Sequence, residues 1–291
     1  MDFSVLGPLE IAGPRGPVEV IAGRPATLLV ALLLHAHRPV PIATLTACIW
    51  PADPPQCAAE NIRTYVSKLR RMLVTANDDH ADRLTSHPGA YQLDAAPAEL
   101  DALRFTALSD EARQAMHSGD PTRAATSAGQ AVSLWRGRPL AGVEVGPSLD
   151  AKAVWLEERR WTTFCTWIDA RLALGDHAAV IPMLREQVAE QPLNEHLWAR
   201  LAAALCRAGR TGDALAACAE ARQVFVDELG IEPGAELAEA QAAILHGDSP
   251  AGGPSAAGPP GRCRHRPCRH GHRRGSTRWL RCSGRPTADG H

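Results

Sequence analysis

The spacing of apolar and polar positions changes several times along the 291 residues, and each change predicts an element. Over the first 23 positions short apolar runs alternate with turn residues. Phe3-Ser4-Val5-Leu6 and Leu9-Glu10-Ile11 flank Gly7-Pro8, and Val18-Glu19-Val20-Ile21 follows a loop of Gly13, Pro14, Gly16 and Pro17. That pattern predicts short strands. From Arg24 to Ala36 the period lengthens, with leucines at 28, 29, 32, 33 and 34. So wide an apolar face predicts a helix buried on more than one side, closed by Pro39 and Pro41. Val40 to Ile42 fits one more short strand, and a second helix is predicted from about Ala43 to Trp50. Pro51-Ala52-Asp53-Pro54-Pro55 then reads as a stiff connector, because proline fixes φ.

The third predicted helix, about Ala58 to Leu73, carries one apolar stripe of Ile62, Val66, Leu69 and Leu73. Arg63, Thr64, Ser67, Lys68, Arg70 and Arg71 lie off that stripe, so half of the cylinder is polar and mostly basic. Arg83-Leu84-Thr85-Ser86 and Ala90-Tyr91-Gln92-Leu93 surround His87-Pro88-Gly89 and predict a hairpin. Sheet, three helices and hairpin together make a winged helix-turn-helix of the α+β class, over residues 1–97.

From about Glu99 to Gly247 the chain is rich in Ala and Leu and helical throughout. A Gly followed five residues later by a small apolar residue recurs three times: Gly119 with Ala124, Gly175 with Val180, Gly209 with Ala214. The last two copies are 34 residues apart, the period of tetratricopeptide-type helix pairs, which predicts an all-α domain over 98–247. Residues 248–291 turn rich in Pro, Gly, Ser and then Arg, with no apolar period, and read as a disordered tail.

Charge sharpens the division. Residues 98–249 hold fourteen Lys/Arg against twenty-two Asp/Glu, whereas 250–291 hold nine Arg and the single acid Asp289. The acidic middle disfavours nonspecific DNA contact and suits protein partners. The tail either adds nonspecific phosphate affinity or reflects a shifted reading frame. The first residues lack a basic n-region, Ala26 to Leu34 is too short to span a membrane, and the cysteines form no CxxC pair. A cytoplasmic protein is expected.

Enzyme chemistry finds no foothold in the sequence. Neither Lys68 nor Lys152 sits in a GxxxxGK[ST] context, and HExxH and GxSxG are absent. Asp78, Asp79, His80 and Asp82 cluster in a loop without a nucleophile and read as a solvated turn. Cys263 and Cys268 with His265, His270 and His272 are irregularly spaced in apolar-poor surroundings, so neither a metal site nor a cofactor is expected. The tryptophans 135, 155, 161, 167 and 198 read as core rather than as a ligand cage.

Several strings in order carry a resemblance: Phe3-Ser-Val-Leu-Gly-Pro-Leu-Glu, Ile49-Trp50, Asn61 with Tyr65-Val66-Ser67-Lys68-Leu69-Arg70-Arg71, Tyr91-Gln92-Leu93, Leu134-Trp135-Arg136-Gly137, Ala208-Gly209-Arg210, and Glu228-Leu229-Gly230-Ile231-Glu232-Pro233-Gly234. Over roughly residues 3–247 the chain resembles the Streptomyces antibiotic regulatory protein family. The resemblance implies an OmpR-type winged helix, the effector fold of two-component systems, joined to a bacterial transcriptional activation domain of tetratricopeptide-like helices. It implies binding to direct repeats in double-stranded DNA near promoters of antibiotic biosynthesis clusters, and recruitment of RNA polymerase. The chain departs from the family at Thr46, Ala47 and Cys48, where an acid is usual, and at Ala90, where a Gly is frequent.

DNA contact requires cations for phosphate and planar or amide donors for base edges. Arg63, Ser67 and Arg70/Arg71 form one row on the third helix, and Thr64, Lys68 and Arg71 its neighbour. On the helix alone a solvated face is the simpler account. The winged-helix context and the family pattern together favour DNA. Arg83, Thr85 and His87 on the wing are further candidates, while Tyr91 is expected in the core. The loop residues Asp53, Pro54 and Pro55 face polymerase if the resemblance holds, and are otherwise a connector. The expected protein is thus a nucleoid-associated activator that binds head to tail as a homodimer on DNA. The rivals are a tetratricopeptide-like adaptor and a ligand-gated regulator.

Overall fold

The structure, a computed structural model, describes residues 1–76 and 81–246. The Asp78-Asp79-His80 cluster lies outside the described residues, as does the whole tail from 248 with its Cys/His group. Strands β1 (Asp2–Ser4), β2 (Glu10–Gly13) and β3 (Gly16–Val18) form an antiparallel meander in which Phe3 faces Ile11 and Ile11 faces Val18. The first strand stops earlier than its apolar pattern predicts. Val5 and Leu6 remain buried, but both of their N–H groups donate to the Asp101 carboxylate at 2.9 Å, so no partner strand takes them.

Helix α1 (Arg24–Leu33) is buried at every position from Pro25 to Leu33, as its broad apolar face predicts. It ends before Ala36. Leu34 to His37 turn instead, with His37 at φ 65 and its N–H on Leu93 O, which sets β4 (Val40–Pro41) beside Tyr91. Helices α2 (Ile42–Ile49) and α3 (Ala58–Thr75) follow, then a single 3-10 turn (Ala81–Arg83) and the hairpin β5 (Leu84–His87) and β6 (Ala90–Leu93). The second sheet has the order β4-β6-β5. Sheet, three helices and hairpin are consistent with the winged helix read from the sequence.

The remainder is helical: α4 (Asp101–His117), α5 (Pro121–Ser133), α6 (Pro147–Ala173), α7 (His177–Glu190), α8 (Glu195–Arg207), α9 (Thr211–Leu229) and α10 (Ala235–His246). The three recurring glycines stand at the turns α4/α5, α6/α7 and α8/α9, with φ of 76, 86 and 76°. Each turn closes in the same way: the N–H after the glycine bonds a carbonyl five residues back, on Ala115, Arg171 and Leu205. This is the helix-ending geometry that favours a residue without Cβ. The small partners Ala124, Val180 and Ala214 are wholly buried where the next helix returns.

Among the described residues two large apolar cores result, beside a small cluster of Ala115, Ala124, Ala125 and Ala170 from α4, α5 and α6. The first gathers β1, β2, α1 to α3 and the hairpin, and runs on across positions 97 and 98 into Phe105, Trp135 and the start of α6 at Leu149, Ala153 and Leu156. The second begins on the same helix, at Ile168 and Leu172, and is completed by α7 to α10. Trp135 and Trp198 are buried, and Trp161 and Trp167 pack against the second core, as expected. Trp155 is the exception, 47% exposed between Lys152 and Arg159, because it lies off the Leu149–Ala153–Leu156 stripe. Among the described residues no helix is long and apolar enough to cross a membrane.

Candidate nucleic-acid interface

The amphipathic division of α3 builds this surface. Ile62, Val66, Leu69 and Leu73 are each no more than 1% exposed, which fixes the helix rotation about its axis. Arg63, Thr64, Ser67, Lys68 and Arg71 are thereby turned to solvent. Among the described residues Arg63, Lys68 and Arg71 form no ion pair, so three cations on one helical face stand without counter-charge. The Thr64 hydroxyl donates to Glu60 O at 3.1 Å and keeps its lone pairs outward.

Arg70 belongs to the same basic run and has a different task. Its Nε and Nη2 donate to Leu84 O at 3.0 and 2.8 Å, and Nη2 also reaches Ser86 Oγ at 2.9 Å. The guanidinium fork clamps the wing onto α3, and Arg70 is a positioning residue. At the wing tip Thr85 is half-buried, while Ser86 and His87 are exposed, with Thr85 Oγ1 lying 3.3 Å from His87 Nε2. Gly89, at φ +69, makes the turn, and its carbonyl accepts the Ile42 N–H at 2.9 Å, joining wing to α2. Tyr91 is 8% exposed, in the core as expected.

Arg83 does not face outward with the rest. It is 5% exposed, donates to both Glu99 carboxylate oxygens at 3.1 Å and to Asp94 O at 3.3 Å, and lies over the Phe3 ring at 5.6 Å. Burial by itself would raise the Glu99 carboxyl, but hydrogen bonds from Arg83 and from the Ala96 N–H outweigh it and hold the pKa at about 2. The expectation that Arg83 reaches DNA is therefore corrected: its position in the sequence is on the wing, yet its charge is spent in the interior.

Asp53 and Pro54 are exposed and Pro55 is half-buried, beyond Trp50, which stacks under the Arg24 guanidinium at 5.3 Å. The base of this loop packs on Gly146. A Cβ there would meet Cys48 O at 3.2 Å and Pro51 Cβ at 3.3 Å.

Sequence reasoning missed the residues that hold this surface to the helical part. Asp101, at the start of α4, accepts from Val5 and Leu6, and the Arg136 guanidinium lies 3.5 Å away. Burial pushes the Asp101 carboxyl up, against the pull of those two N–H groups and of Arg136. Arg136 also pairs with Glu10, and its own N–H bonds Leu6 O at 2.8 Å. A Cβ on Gly7 would come within 2.9 Å of Arg136 Cβ, which explains the glycine. The one signal was the Trp135-Arg136-Gly137 string, which names a residue but not its partners Asp101, Glu10 and Leu6, 35 and more positions away.

The family described as "Bacterial transcriptional activator domain" matches residues 100–245. The chain is 35% identical over 253 residues to the regulatory protein DnrI of Streptomyces peucetius, covering 85% of this chain and 93% of that one. It is 38% identical over 248 residues to the regulatory protein AfsR of Streptomyces griseus, spanning 84% of this chain and 24% of that protein. A solved structure, Mycobacterium tuberculosis EmbR in complex with a low-affinity phosphopeptide, superposes with a TM-score of 0.80 at 29% identity over 86% of this chain and 66% of that one.

Proposed function

The chain belongs to the Streptomyces antibiotic regulatory protein family of DNA-binding transcriptional regulators, and from that premise we propose that the solvent face of α3 reads operator DNA in the major groove. The observation that carries the reading is the set of exposed cations Arg63, Lys68 and Arg71 without counter-charge, on a helix whose opposite face is locked in the core. Such a set gains most when phosphates or guanine edges replace water. Ser67 supplies a short donor and Thr64 an acceptor between the cations, and Thr85 and His87 on the wing reach the flanking backbone or minor groove. Arg70 and Arg83 act from behind, one fixing the wing and the other the interior.

Residues 1–97, as an OmpR-type winged helix, supply the DNA contact, and residues 98–247 supply protein contacts through an acidic, tetratricopeptide-like surface. Two copies lie head to tail on direct repeats, so that both recognition helices enter one face of the duplex. The Asp53-Pro54-Pro55 loop, exposed at Asp53 and Pro54, faces RNA polymerase. The protein activates a secondary-metabolite gene cluster in the cytoplasm, at the nucleoid.

Fluorescence anisotropy with duplexes from the chain's own gene neighbourhood, across a salt series, tests this. Arg63→Ala, Lys68→Ala and Arg71→Ala are each expected to weaken saturable binding by about tenfold. Each substitution at a phosphate contact lowers the salt slope by about one. Deleting one repeat abolishes cooperative binding. Equal, weak binding to every duplex would instead favour an adaptor in which α3 is only a solvated face.

A further inference from the structure

Beside the DNA-facing side of α3 lies a cavity of about 480 Å3, between the β2–β3 hairpin and the last turns of the helix. That volume is in the range of small-molecule sites. Val18, Ile21 and Met72 give it an apolar wall. Arg15, Lys68 and Arg71 line it too, and all three are exposed. Among the described residues Glu19 is the one acid that borders it. The walls are held by backbone. A Cβ on Gly13 would lie 2.9 Å from Ala76 O, so the turn end of the hairpin, where Gly13 faces Gly16, is pressed against the end of α3.

An apolar wall bordered by a surplus of positive charge selects an occupant of one kind: a flat apolar body that carries an anionic group. The body displaces water from Val18, Ile21 and Met72. The anion is bound by Lys68 and Arg71, and a guanidinium can also stack on an aromatic ring. Lys68 and Arg71 are the same residues assigned above to DNA. We propose that this cavity binds a small aromatic carboxylate or sulfonate, and that its occupancy competes with DNA for Lys68 and Arg71. The competition rests on the DNA-reading role of α3; the binding does not.

Anilinonaphthalenesulfonate, a flat aromatic anion that fluoresces when shielded from water, is a direct probe of the full chain. Saturable enhancement is expected, reversed by saturating operator duplex. Val18→Trp fills the cavity from the hairpin and Thr75→Trp from the helix. Each is expected to weaken probe binding by about tenfold or more, with duplex affinity unchanged for Val18→Trp. The two substitutions lie on different elements and do not share a folding liability, and thermal transitions by circular dichroism verify each. Probe binding equal to wild type in both variants would overturn the site. A probe signal that duplex leaves unchanged would overturn the competition. A wild-type chain that binds no duplex defeats the DNA reading, while the two cavity variants still decide whether the site exists.

Discussion

Among single residues, the contrast between Arg83 and Lys68 is the most instructive. Both are cations in the N-terminal part of the chain, and both carry the composition of a nucleic-acid contact, yet one is interior and the other solvated. Composition assigns charge to a segment; only the partner decides its use, and Glu99 is sixteen positions from Arg83. Removing a partner from a buried ion pair costs about 3–5 kcal/mol. Arg83→Ala is therefore expected to lower stability by about that amount in urea unfolding, while the folded fraction keeps its DNA affinity. The same pair predicts an acid limb. The folded Glu99 pKa, about 2, lies below its ordinary 4.5, so its contribution is complete above pH 4.5 and is lost as pH falls through 2. In Glu99→Gln that limb should flatten in stability measurements between those values, and a limb unchanged from wild type would contradict the assignment.

For the elements, what the sequence reveals is what is local. The α3 stripe was legible because four residues at helical spacing carry it, and all four are buried. The glycine turns were legible for the same reason, as each lies within a few residues of the carbonyls it leaves to be capped. The end of β1 was not. Val5 and Leu6 have the pattern of a strand and leave the sheet only because Asp101 takes their N–H groups. Past the end of α1 the N–H groups of Leu34 to Ala36 stay on local carbonyls, and only that of His37 goes to a distant acceptor, Leu93 O. Substituting Ala for Gly119, Gly175 or Gly209 places a Cβ at positive φ, and each is expected to cost about 1 kcal/mol. Equal losses at the three positions by thermal unfolding would mark them as one repeated device, and a neutral substitution would show that its turn had relaxed.

Across the whole molecule, the first core is shared. Phe105 and Trp135, with ring centroids 5.3 Å apart, and the start of α6 complete the apolar surface of the winged helix. Residues 1–97 expressed alone are expected to lose their cooperative thermal transition, whereas 1–246 should keep it. An isolated 1–97 fragment that melts sharply would show the shared core to be dispensable. Helix α6 anchors its start in this core and its end in the second, so it acts as an axle between the part proposed above to meet DNA and the part proposed to meet proteins. An axle transmits rotation. Moving the operator by about five base pairs, half a helical turn, carries the second core to the far side of the duplex, and about ten base pairs bring it back. Promoter output should therefore oscillate with operator position, and the amplitude of that oscillation measures how stiffly α6 couples its two ends.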